Sequence, residues 1–312
     1  MAAMNMSESE IELPLVDLDL LNSEQGRSKL TKIIREACED WGFFNVINHG
    51  VDSDLIQAID SVSRDLFTLP AEIKEKAVFS TYFDGYTGRS AALPYRESMS
   101  FSRVLFSDSV DRISDTLWTQ RNPDFCKAVK EYSYKVEELA KTLVKLTVSS
   151  LGLDVALEKS LEGNLRMNYY TPPFAQTSTL PLKGHKDFSC LTVLYQDHMG
   201  GLEVLTKEGM WAAVKPLKGS FAVNVGDSLE IWSNCRYRSA VHRVKYGGWT
   251  SRLSLAFFMH FADDEQVYAP EELIDDDHPR RHKAFCFKEY KEYKQRVFKN
   301  DGIPNPFRIS LD

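Results

Sequence analysis

The stretch that decides the reading is His185-Lys186-Asp187, followed fifty-five positions after Asp187 by His242 and then by Arg252-Leu253-Ser254-Leu255-Ala256-Phe257-Phe258. Residues two apart in an extended chain share a face, so His185 and Asp187 can hold one ligand while Lys186 points away. Two histidines and one carboxylate form a facial triad suited to iron(II), with coordination positions left open for small ligands. An H-x-D triplet alone is common by chance. Weight comes from Arg252 and Ser254, ten and twelve positions beyond His242 and again on one face. A buried guanidinium is costly without an anion, and its planar fork fits a carboxylate with two parallel hydrogen bonds. Ser254 can add a hydroxyl donor to that anion. The remaining histidines, His49, His198, His260, His278 and His282, have no carboxylate at ligand spacing and read as turn or surface residues.

Outward from this core the chain divides into two halves. Upstream, Arg166-Met167-Asn168-Tyr169-Tyr170 alternates as a strand, with Asn168 and Tyr170 on one face and the Tyr170 hydroxyl within reach of the same carboxylate. Strand-like runs cover residues 191–195, 201–205, 211–214, 221–225 and 253–258, with Gly200-Gly201, Glu208-Gly209 and Gly226-Asp227 as punctuation. The first half is helical. Apolar residues at Leu30, Ile33, Ile34, Ala37, Cys38 and Trp41 predict a helix over 25–41, ended by Gly42 in a left-handed conformation. Residues 43–47 follow as a strand. A second helix carries Leu55, Ile59, Val62 and Leu66 and stops before Pro70. After an aperiodic segment over 79–115, Asn122-Pro123 caps a long helix bearing Phe125, Val129, Tyr132, Val136, Leu139, Leu143 and Leu146. A last helix spans 287–298. The expected fold is α+β with a mainly β core, a jelly roll (double-stranded β-helix) flanked by helices. A mixed N-terminal region over 1–160 would precede the iron and co-substrate core over 161–312.

Composition removes other classes. The 312 residues carry 38 basic and 45 acidic side chains, a net charge of -7, which gives nucleic acid no electrostatic footprint. Five scattered cysteines with no C-x-x-C pair argue against a disulfide framework or a thiolate zinc site. Met1–Glu10 is polar and acidic, unlike a secretory signal, and no apolar run is long enough to span a bilayer. A cytoplasmic protein without membrane partners is expected.

In this order the motifs resemble the plant 2-oxoglutarate, iron(II)-dependent dioxygenase family with the isopenicillin N synthase-like fold. Leu13-Pro14-Leu15-Val16-Asp17-Leu18 is similar to the family's opening strand. Residues 41–50, from Trp41-Gly42-Phe43-Phe44 to Asn48-His49-Gly50, resemble its W-G-F-F-x-x-x-N-H-G signature, in which His49 is structural. Asn168-Tyr169-Tyr170, Asn224-Val225-Gly226-Asp227, His242-Arg243-Val244 and Arg252-Leu253-Ser254 complete the series. Two positions depart from it. Lys186 stands where the family mostly has a small or hydroxylated residue, and Ser233-Asn234-Cys235 replaces its S-N-G turn. Asp187 is present, unlike in a related halogenase, which leaves that ligand position empty.

The resemblance implies catalysis by His185, Asp187 and His242 as iron(II) ligands. Arg252, Ser254, Tyr170 and Asn168 would hold 2-oxoglutarate, dioxygen would be the oxidant, and ascorbate would serve as reductant. The co-substrate would be decarboxylated to succinate and carbon dioxide while a small organic substrate, a plant hormone or specialised metabolite, is hydroxylated; desaturation and ring closure are variants. A same-fold oxidase that does not use 2-oxoglutarate and a non-catalytic small-molecule-binding jelly roll are the competing readings. For the substrate, Thr87-Gly88-Arg89, Leu93-Pro94 and residues 97–101 are similar to gibberellin 20-oxidases. Residues 270–275 with His278-Pro279-Arg280 are similar to auxin-oxidising and glucosinolate side-chain dioxygenases. Arg89, Tyr95, Phe101 and Arg103 are placed by the resemblance near the pocket mouth, an arginine among them pairing with a substrate carboxylate. Phe188 and Phe258 would be apolar walls.

Overall fold

A computed structural model describes residues 10–79, 84–91, 93–172, 179–246, 249–299 and 305–309; the acidic start of the chain lies almost wholly outside them. In chain order the elements that build the site are β1 (Glu10–Ile11), β2 (Leu15–Asp17), α1 (Glu24–Asp40), β3 (Phe43–Ile47), α2 (Ser53–Thr68), α3 (Ala71–Lys74), β4 (Gly85–Thr87) and β5 (Arg96–Phe101). They continue with α4 (Ser109–Leu117), α5 (Pro123–Ser150), β6 (Leu161–Tyr170), β7 (Thr179–His185), β8 (Leu191–Gln196), β9 (Leu202–Leu205) and β10 (Trp211–Val214). Last come β11 (Phe221–Val225), α6 (Asp227–Trp232), β12 (His242–Tyr246), β13 (Arg252–Phe261), β14 (Gln266–Val267), β15 (Phe285–Cys286) and α7 (Phe287–Lys299).

The expected jelly roll is present as two facing sheets. The larger has the order β2-β3-β11-β8-β13-β6-β5-β4, the smaller β1-β10-β9-β12-β7. Alternation along β13 shows how the larger sheet is used. Leu253, Leu255, Phe257 and Met259 point into the main apolar core, shared with Phe125, Val129, Val136 and Leu143 of α5. Arg252, Ser254, Ala256 and Phe258 point the other way, into a cavity between the sheets. One end of that inter-sheet space is filled by Leu13, Phe43, Leu202, Val204, Val214, Ala222 and Ala240. The other end stays open and becomes the site.

Local signals behave as their chemistry dictates. Gly42 ends α1 at φ +66, and its N–H reaches the Ala37 carbonyl at 2.9 Å. A Cβ there would lie 2.1 Å from the Arg238 carbonyl oxygen, so the position needs glycine twice over. The Asn122 side chain accepts the Phe125 N–H at 3.0 Å and starts α5 with Pro123 in its first turn.

Three expectations need correction. The segment over 79–115 is not wholly irregular: it holds β4, β5 and α4, while 80–83 and 92 lie outside the described residues. Gly226-Asp227 is more than a turn, because α6 starts at Asp227. His260 is neither a turn nor a surface residue. It sits in β13, 5% exposed, its ring stacked on Phe287 and its Nδ1 2.9 Å from the Phe261 carbonyl.

Candidate active site

β7 and β12 run antiparallel with His185 and His242 as direct partners, which brings their rings to 4.3 Å between centroids. Asp187 lies just past the end of β7. His185 Nε2 stands 3.6 Å and His242 Nε2 3.8 Å from Asp187 Oδ1, and one ligand atom from each of the three falls within 4.8 Å of the others. Each imidazole is oriented through its other nitrogen. His185 Nδ1 meets the Lys183 carbonyl at 3.0 Å and His242 Nδ1 the Ala240 carbonyl at 3.3 Å. With Nδ1–H donating to backbone, Nε2 is left with its lone pair aimed at the common point. Asp187 is fixed likewise: its Oδ2 accepts from Thr192 Oγ1 at 2.7 Å and Asn224 Nδ2 at 2.9 Å, leaving Oδ1 for a ligand.

Electrostatics agree with this geometry. Burial, with the neighbouring His242, pushes the His185 imidazole down to about 4, and the charge of Arg96 adds to the effect. Burial raises the Asp187 carboxyl, but the two histidines and the hydrogen bonds from Asn224 and Thr192 outweigh it and the net direction is downward. A neutral imidazole beside an ionised carboxylate is the protonation state a divalent metal requires. The donor set is nitrogen, nitrogen and oxygen with no thiolate, which fits iron(II). Lys186 points off the triad and pairs with Glu230 Oε2 at 3.1 Å. The non-glycine turn is accommodated with Asn234 and Cys235 at φ 52 and 63.

The triad opens on a cavity of about 810 Å³. Along its major-sheet wall, Arg252 and Tyr170 are register partners, as are Ser254 and Asn168. Arg252 is 1% exposed. Its Nε donates to the Gly200 carbonyl, its Nη1 to Ser254 Oγ at 3.1 Å and its Nη2 to Gln196 Oε1 at 3.2 Å. Among the described residues every partner of this cation is neutral. Tyr170 meets Arg252 through its ring rather than its hydroxyl, with the guanidinium carbon 5.0 Å from the ring centroid. Phe188 and Phe258 line the cavity as expected.

The other four expected pocket residues are not among those that line the cavity. Phe101 faces the α5 side of β5, 6.1 Å from the Phe125 ring, because it has the opposite strand parity to the cavity-lining Arg96 and Ser98. Arg103 pairs with Glu162 at 3.0 Å on the surface. Arg89 is half exposed and pairs with Glu97 at 3.2 Å. Tyr95 precedes β5, and its carbonyl accepts the Thr171 N–H at 3.0 Å. Among the cavity cations that sequence reasoning missed is Arg96, whose Nε and Nη2 donate to Asn168 Oδ1 at 3.1 and 2.7 Å. The polar alternation Arg96, Ser98, Ser100 was the available signal.

Residues 161–261 match the model of the 2OG-Fe(II) oxygenase superfamily, and residues 13–119 that of the non-haem dioxygenase N-terminal region described from morphine synthesis. Gibberellin 20 oxidase 1-D of Triticum aestivum is 33% identical, over 94% of this chain and 84% of that protein. The chain belongs to the 2OG-Fe(II) oxygenase superfamily. Among solved structures, the rice dioxygenase for auxin oxidation superposes with a TM-score of 0.83 at 32% identity, covering 92% of this oxygenase and 96% of that chain. The 2-oxoglutarate complex of the Arabidopsis thaliana dioxygenase for auxin oxidation 1 gives 0.79 at 31% identity, over 86% and 100%. The enzyme is therefore a non-haem iron(II), 2-oxoglutarate-dependent dioxygenase of a plant-type family acting on a small molecule. No helix among its described residues is long and apolar enough to cross a membrane.

Proposed function

We propose that this dioxygenase hydroxylates a small, largely apolar plant hormone or specialised metabolite, with iron(II) on His185, Asp187 and His242 and 2-oxoglutarate on Arg252, Ser254, Tyr170 and Asn168. The observation that carries this reading is Arg252, a fully buried cation with only neutral partners among the described residues, on the same cavity as the triad. Such a group costs several kcal/mol of desolvation unless an anion arrives to pair with it. The distal carboxylate of 2-oxoglutarate is that anion, and Ser254 Oγ, already 3.1 Å from Nη1, is placed to donate to it.

Bound at the triad, iron(II) would supply the oxidising chemistry: one atom of dioxygen enters succinate as carbon dioxide leaves, and the other enters a substrate C–H bond. The protein's part is positioning. Thr192 and Asn224 hold Asp187 so that one oxygen faces the metal, and the backbone carbonyls at Lys183 and Ala240 fix both imidazole tautomers. Phe188, Phe258, Leu182 and Val244 give the cavity apolar walls that exclude water from the reacting carbon. Ascorbate as reductant, a cytoplasmic location and a boundary near 160/161 belong to the same reading. The location is supported by five cysteines that form no disulfide, and the boundary by β6 opening at Leu161.

The test is a panel of plant hormones and metabolites incubated with purified enzyme, iron(II) and 2-oxoglutarate, followed by mass spectrometry. One succinate per oxidised substrate is expected. Substrate oxidation without succinate would instead identify the 2-oxoglutarate-independent oxidase. No oxidation of any compound, with no iron bound, would identify a binding protein.

A further inference from the structure

Three guanidiniums line the cavity: Arg252, Arg96 and Arg166. Arg252 has only neutral partners among the described residues. So does Arg96, whose hydrogen bonds there all go to Asn168 Oδ1. Of the other charges around the cavity, Lys186 pairs with Glu230, Lys294 with Asp227 at 2.7 Å, and Asp84 with Arg112. Arg166 is held by Ser100 Oγ at 2.9 Å and packs over Phe258.

Arg96 and Arg252 stand on different strands of the wall. Arg96 is the register partner of Tyr170 on β5, whereas Arg252 is the partner of Tyr170 on β13, so the two cations flank one tyrosine from opposite sides. Two strand spacings, about 10 Å, separate their backbones. Arg96 also lies near enough to His185 for its charge to oppose protonation of that ring. Because Nε and Nη2 are turned to Asn168, Nη1 has no hydrogen-bond partner among the described residues. Charge counting then asks what the cation is for. With the reading above in place, iron(II) and Arg252 are matched by Asp187 and the two carboxylates of 2-oxoglutarate. Arg96 is a positive charge left over, half-buried on the same cavity as the apolar walls Phe188 and Phe258.

We infer that Arg96 is the specificity-determining residue that binds a carboxylate of the substrate, so that this enzyme oxidises a ring-bearing organic monocarboxylic acid. Acid and ester differ by one charge and little volume. Arg96 should therefore prefer the acid, and the apolar walls should hold the ring with its C–H bonds toward the triad. This inference rests on the proposed function, and it names the substrate class for that same site.

The experiment uses the holoenzyme with iron(II) and 2-oxoglutarate under argon, titrated calorimetrically with indole-3-acetic acid, cyclohexylacetic acid and a tetracyclic diterpenoid monocarboxylic acid. Each acid is compared with its methyl ester, in wild type, Arg96→Gln and Arg96→Lys. Wild type should bind at least one acid ~10-fold or more tightly than its ester, Arg96→Gln should abolish that preference, and Arg96→Lys should keep part of it. The affinity for 2-oxoglutarate, measured on the same samples, should stay near wild type in both variants. If no acid is preferred over its ester by wild type, or if Arg96→Gln keeps the preference, the inference is wrong. If Arg96→Gln loses 2-oxoglutarate affinity with the acid preference intact, Arg96 only orients Asn168, which also overturns it. Failure of wild type to bind 2-oxoglutarate at all would instead sink the proposed function.

Discussion

The ring of Tyr170 lies against the Arg252 guanidinium, 5.0 Å from carbon to centroid, while its hydroxyl has no protein partner among the described residues. With 2-oxoglutarate placed as proposed, the pair would act in two ways: the ring would steady the cation, and the hydroxyl would reach the co-substrate. Tyr170→Phe should keep the first function and lose the second, weakening 2-oxoglutarate binding by about 1.5–3 kcal/mol. Tyr170→Leu should be worse, because it removes both. Arg252→Lys should raise the Michaelis constant for 2-oxoglutarate far more than it weakens iron, since the ammonium cannot form the bidentate fork. Equal constants for Tyr170→Phe and Tyr170→Leu would show that the ring contributes nothing.

The carboxylate of Asp187 is steered by Thr192 and Asn224. Thr192→Val, nearly isosteric, should lower iron(II) affinity on the order of 10–100-fold while the fold persists. His185→Ala and Asp187→Ala should abolish turnover altogether. Anaerobic iron titration with a chelator checks the first. Unaltered affinity in Thr192→Val would mean that Asn224 orients the carboxylate alone.

At Gly42 both the positive φ and the Arg238 carbonyl exclude a side chain. Gly42→Ala should destabilise the protein by about 2 kcal/mol or more, because left-handed strain and a clash combine. Thermal melting of the variant measures it, and an unshifted midpoint would refute the argument.

Burial drives His260 down to about 4 from 6.5. A histidine depressed in the folded state leaves stability intact above pH 6.5 and removes it as pH falls toward 4. The expected loss from this residue is about 2 kcal/mol by pH 5. His260→Phe retains the stack on Phe287 but cannot titrate. Its urea unfolding free energy should fall less between pH 7 and pH 5 than that of wild type, and parallel declines would exclude His260 as the cause.

How much of this was written in the chain depended on whether a residue's role follows local periodicity. His185, Asp187, Arg252 and Ser254 could be placed on common faces because a strand repeats every two residues. Long helices could be read from their apolar faces. Arg96 was hidden because β5 turns Arg96 and Ser98 inward to a polar cavity and Met99 and Phe101 outward to the helices, so the usual inside–outside pattern is inverted there. The neighbouring arginines at 89 and 103 looked equivalent in sequence, and only pairing to Glu97 and Glu162 separates them from it. His260 looked like a surface residue because nothing local signals that both faces of β13 are covered. The short α6 has too few turns to show a period.

The triad draws on both halves of the sandwich. His185 and His242 come from β7 and β12 of the smaller sheet, while Asp187 is gripped by Thr192 of β8 and Asn224 of β11 in the larger one. An ion at their centre is thus a cross-brace between the two sheets. Folding free energy then tracks the supply of metal, by RT ln(1 + [iron]/Kd). In a cell short of iron this enzyme would lose more than turnover. Its mouth would loosen, its lifetime against proteases would shorten, and its abundance would report the metal before any substrate was consumed.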